Sequence, residues 1–157
     1  MRPYAVAMSV LAAAMLLGLF SRAADQVPWN AEGPLVETLV GIGNAPTPWL
    51  IAAFIVGAVA RRVILGAVAA TVALIGAVAI YYLLIGVTDE RSAVPLLGVG
   101  LAWAAVSAVA GPVLGAAGGR WRSGSPAARR GGAAILGGSL VAVGLFATAA
   151  SIAYWPA

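Results

Sequence analysis

Residues able to do covalent or acid–base chemistry are scarce in this chain. It has no cysteine and no histidine, and all nine of its basic residues are arginine. Thiolate nucleophiles, disulfides and the usual zinc and haem ligands are therefore absent. The five acids (Asp25, Glu32, Glu37, Asp89 and Glu90) form no pair suited to general acid–base work. The expectation is a protein without enzymatic activity, cofactor or metal.

One stretch invites a different chemistry. "GPVLGAAGGRW", residues 111–121, crowds glycines ahead of a basic residue, as phosphate loops do. A Walker loop, however, needs G-x-x-x-x-G-K-[ST], with lysine for the phosphate and a hydroxyl for magnesium. Arg120 and Trp121 follow the last glycine instead, and no strand pattern precedes it. Ser107, Gly111, Gly115 and Gly119 recur every four residues, which places them on one face of a helix. Such a small-xxx-small ladder lets helix backbones approach closely in lipid. Packing is the reading this spacing supports.

The elements that carry these residues follow from composition. Hydrophobic residues make up 62% of the 157 and charged residues only 9%, too little charge to solvate a globular surface. The net charge of +4 sits in short arginine clusters between apolar runs. That distribution sets topology in a membrane, and it lacks the broad basic face of a nucleic-acid binder.

The sequence predicts an all-α transmembrane bundle in a single domain, 1–157. Its five spans fall at about 4–20, 47–62, 63–86, 93–118 and 132–155, with a short outer helix over 35–42. Residues 4–20 also resemble a secretory signal peptide, but their length favours retention as a first helix. In "GIGNAPTPWL", residues 41–50, two prolines within three residues break the chain between the outer helix and the second span. The outer helix either re-enters the membrane or lies in its interface.

Arginine counting orients the bundle. With the N-terminus in the cytoplasm, Arg2, Arg61, Arg62, Arg120, Arg122, Arg129 and Arg130 lie inside, while Arg22 and Arg91 lie outside. The expected location is a bacterial cytoplasmic (inner) membrane, multi-pass, with the C-terminus extracytoplasmic.

Aromatic residues concentrate in the outer half. Trp29, Trp49, Tyr81, Tyr82, Tyr154 and Trp155 suit an interfacial belt. Trp103 lies about 15 Å into its helix, too deep for one. Non-helical backbone at membrane depth needs protein or a wet cavity around it, which makes the turn 44–49 a candidate cavity wall. A candidate ligand pocket is therefore Glu37, Asn44, Trp49, Tyr81, Tyr82 and Trp103. For Trp103 the alternative is filling core space, and for Glu37, the only acid within an apolar run, it is facing water at the interface.

"NAPTPWLIAAFIVGAVARR", "AIYYLLIG" and "AGPVLGAAGGRWR" together resemble a family of small actinobacterial integral membrane proteins of unknown function, over about residues 35–125. The resemblance implies a multi-span protein and transfers no catalytic residues. A fainter similarity is to the substrate-capture subunits of energy-coupling-factor vitamin transporters, which usually have six spans and both termini inside.

Two functions remain. In the first, the chain is an accessory or assembly subunit that binds another membrane protein, or itself, through its small-residue faces. In the second, it captures a small solute in an outer aromatic pocket. The partners expected are the lipid bilayer, a membrane protein or a second copy, and a small solute, with no nucleic acid.

Overall fold

Prolines and one left-handed arginine set most of the helix boundaries. The computed structural model describes residues 3–27, 33–88, 93–123 and 125–154. Its helices are α1 (Pro3–Asp25), α2 (Pro34–Asn44), α3 (Thr47–Ala60), α4 (Val63–Thr88), α5 (Ala93–Arg122) and α6 (Pro126–Tyr154). No strand occurs among the described residues. Pro34 opens α2 and Pro48 lies in the first turn of α3, where a missing backbone N–H leaves no helical bond unmade. Ser125 caps α6, its Oγ accepting the backbone N–H of Ala128 at 3.0 Å. Helix α3 ends at Arg61, whose φ of 53° lies in the left-handed region that usually belongs to glycine at a helix end.

Long apolar helices follow. Tyr4–Asp25, Val63–Thr88 and Leu97–Arg122 are long and apolar enough to cross a membrane, and the α2–α3 pair adds a fourth crossing if taken as one broken span. That pair bends by 56° between Pro34–Gly43 and Thr47–Ala60. The expectation of five spans is met only in part. Segment 132–155 falls mostly within α6, and the side chains of its C-terminal half lie outside those described.

Burial is inverted relative to a water-soluble bundle. Ala53, Ala60, Ala70, Ala73 and Ala77 are fully buried, while Ile64 is 80% exposed and Leu16, Leu101 and Val109 are similarly bare. Large apolar side chains outside and small ones inside are compatible with lipid, where close backbone packing replaces hydrophobic collapse.

Helix α4 is central, packing on α1, α3 and α5. Helices α1 and α4 run parallel: a Cβ on Gly76 would meet that of Ala14 at 3.2 Å, one on Gly18 would meet Ile80 at 2.8 Å, and Arg22 reaches Thr88. Helices α4 and α5 run antiparallel, with Thr71 beside Gly111 and Arg62 beside Gly119. Gly132 of α6 packs on Ala117 and Trp121. These pairings gather Arg61, Arg62, Arg120, Arg122, Arg129 and Arg130 at one end of the bundle, and put Asp25 at the other with the α2–α3 break.

Candidate functional site

Four helices converge below the α2–α3 break. On α4, Leu74, Val78, Tyr81 and Tyr82 stand at spacings of four, seven and eight residues, so they share one face. On α5, Trp103, Val106, Ser107 and Ala110 do the same. Between these faces and the start of α3 lies a cavity of about 290 Å³, completed by Trp49 and Leu50, by Gly43, Ala45 and Pro46 at the break, and by Ser21 of α1. Its size is close to the lower limit for small-molecule sites, about 300 Å³.

The break is held in place by α1. Ser21 Oγ donates to the Gly43 carbonyl at 3.0 Å. Beside it Gly43 lies so close to Ala24 that any Cβ on Gly43 would overlap the Ala24 methyl. Only glycine lets the end of α2 approach α1 this far. Pro46 and Pro48 then force the turn into α3, which swings Trp49 toward the cavity.

Hydroxyls and aromatic rings dominate its polarity. The Tyr81 hydroxyl donates to the Asp25 carboxylate. Tyr81 and Tyr82 form an edge-to-face pair, ring centroids 4.9 Å apart and planes at 88°, a favourable quadrupole arrangement. Tyr82 is braced from behind by Gly100 of α5, where a Cβ would come within 3.3 Å of its ring. Trp103, also in the lining, is 50% exposed. Among the described residues no charged side chain lines the cavity. Arg22 lies nearby but outside the lining, 7% exposed, its guanidinium donating to Thr88 Oγ1 at 2.6 Å.

Of the residues the sequence nominated for a pocket, Trp49, Tyr81, Tyr82 and Trp103 are brought together in this cavity. Glu37 is not. It is exposed on α2 and lines a separate shallow groove with Thr38, Thr47 and Ile51. It stands in the first turn of the short α2, whose N-cap Gly33 supplies no side-chain hydrogen bond. Asn44 ends α2, and its side chain lies outside those described. Trp29 and Trp155 lie outside the described residues, as does the side chain of Tyr154.

The glycine ladder faces inward. A Cβ on Gly111 would sit 2.6 Å from the Thr71 Cα, and one on Gly119 would sit 2.8 Å from the Arg62 carbonyl oxygen. Gly115 meets Gly66 of α4 and Gly57 of α3 backbone to backbone. Ser107, the top rung, is buried and also lines the cavity. Gly57, Gly66 and Gly118, which complete this junction, escaped the sequence reading. So did Ser21, Leu74, Val78, Val106 and Ala110 in the cavity wall. The signal for four of these was present, since Leu74 and Val78 share a helical face with Tyr81, and Val106 and Ala110 with Trp103. Ser21 had none, because its role depends on a contact with Gly43, twenty-two residues away.

No curated protein and no solved structure matches the chain. The model of a family of unknown function (DUF6518) matches residues 1–157, and the chain belongs to that family.

Proposed function

We propose, from a family membership that assigns no activity, that this chain is a non-enzymatic membrane protein that binds a small solute in the cavity beneath the α2–α3 break. The observation that carries the reading is the convergence of Trp49, Tyr81, Tyr82 and Trp103 from three helices on one 290 Å³ space. Pockets for small molecules are mostly apolar and aromatic, with a few polar groups fixing orientation. Ser21, Ser107 and the Tyr81 hydroxyl supply the polar groups here. In this reading the chain crosses a bacterial cytoplasmic membrane five times, with the arginine-rich end in the cytoplasm and the cavity opening outside.

The test is a thermal-midpoint screen of the purified protein in detergent against small organic solutes. A stabilising solute should lose its effect in Trp103→Ala. If no solute class shifts the midpoint, the reading falls.

The accessory-subunit reading keeps one supporting observation. The ladder of α5 is occupied within the chain, but a Cβ on Gly137 or Gly138 of α6 would meet nothing within 4 Å. A bare small-residue face suits contact with another helix. Affinity purification from native membranes would favour this reading if a stoichiometric membrane partner were released by Gly138→Leu.

A further inference from the structure

We infer that the cavity selects a small quaternary ammonium cation. This rests on the solute-binding reading of the same cavity and names its ligand class.

Four aromatic side chains line the space and, among the described residues, no formal charge does. An anion entering it would meet four aromatic side chains and no cationic side chain of the described lining. A cation is attracted by those faces, and aromatic cages recognise quaternary ammonium groups in this way. A primary ammonium would bring three N–H donors into a wall with few acceptors, each leaving a desolvation cost if unpaired. A quaternary nitrogen brings none. Ser21 Oγ, already donating to Gly43, is not needed as its partner.

Electrostatics behind the wall point the same way. The Tyr81 hydroxyl donates to the Asp25 carboxylate, which places a negative charge one hydrogen bond behind a cage ring and pushes electron density into that ring. The Tyr81 and Tyr82 rings, both in the lining, lie in perpendicular planes. The opposing charge of Arg22, tied to Thr88 at the end of α4, stands outside the lining but still acts on Tyr81.

Choline and its neutral isostere 3,3-dimethyl-1-butanol separate charge from shape. Each is titrated into the full chain in dodecyl maltoside, with tryptophan fluorescence and the thermal midpoint as readouts. Choline should bind saturably, the alcohol at least about tenfold more weakly, and Trp103→Leu should weaken choline by about tenfold. Trp103 is half exposed, so that variant folds, and its unliganded midpoint verifies this. Glycerophosphocholine tells whether the ammonium arrives free or on a lipid headgroup, and tighter binding of either form supports the site. Equal binding of choline and the alcohol overturns the cation and leaves the solute-binding reading standing. So does a cavity that takes neutral p-cresol and ignores choline. Failure of all these probes overturns both.

Discussion

The backbones of Gly66 and Gly115 touch: a Cβ built on Gly66 would lie 2.5 Å from the Gly115 carbonyl oxygen, and one on Gly115 would overlap the Gly66 carbonyl. Gly57 closes the same junction from α3. Three helices therefore meet at a point where none has room for a side chain. Gly115→Leu should destabilise the protein by at least about 1–3 kcal/mol, the usual cost of overpacking. Val113, two residues away and 51% exposed, should accept leucine with little change. Thermal midpoints in detergent check both, and equal tolerance would sink the packing assignment.

The Ser21–Gly43 hydrogen bond and the tight approach of Gly43 to Ala24 predict graded effects on the cavity wall. Ser21→Ala removes one buried bond and should cost about 1 kcal/mol. Gly43→Val must push α2 away from α1, so it should cost more and should also impair any solute binding. Binding unchanged in Gly43→Val would separate the α2 end from the cavity.

Because the chain contains no cysteine, single substitutions report access without background. A cysteine at Val106, in the cavity wall, should react with a membrane-impermeant maleimide added outside intact cells. One at Val113, exposed on α5 but away from the cavity, should not react until detergent is added. Matching reactivity at the two positions contradicts an aqueous path into the cavity.

Orientation gives a fourth test. A periplasm-active reporter fused after Ala157 should be on, and a cytoplasm-active one inserted at Ser125, beside the arginine cluster, should be on as well. Periplasmic activity at Ser125 reverses the proposed topology. A cytoplasmic Ala157 with Ser125 still inside would show that α6 does not cross.

The break at Pro46 and Pro48 was legible because proline's missing donor and fixed φ act locally. So was the inward face of α5, since a spacing of four is a property of one helix. The helix α1 runs on to Asp25, past its expected end at residue 20, because Ser21 and Ala24 are small enough to pack inside and Arg22 finds Thr88 at the end of α4. Nothing within residues 1–25 announces that partner. Gly57 and Gly66 were illegible for a related reason: isolated glycines in apolar runs show that a helix could be approached, while the approaching helix is fixed only by tertiary packing. Glu37 stayed ambiguous in sequence between a pocket group and an acid facing water, because an acid in an apolar run cannot be placed until the helix length is known. Helix α2 is eleven residues, with Glu37 exposed in its first turn.

The two-residue turn between α3 and α4 also sets an order of assembly. Gly57 and Gly66 are near neighbours in sequence, and Arg61's left-handed backbone folds α3 directly onto α4. Closing so short a loop costs little entropy, and contacts local in sequence form fast. The α3–α4 hairpin is therefore expected to form before α5 docks against it. Helix α5 docks into a preformed slot, and the aromatic cavity appears only at that step, when Trp103 and Val106 arrive opposite Tyr81. Any solute binding in the proposed cavity would therefore wait on the fifth helix.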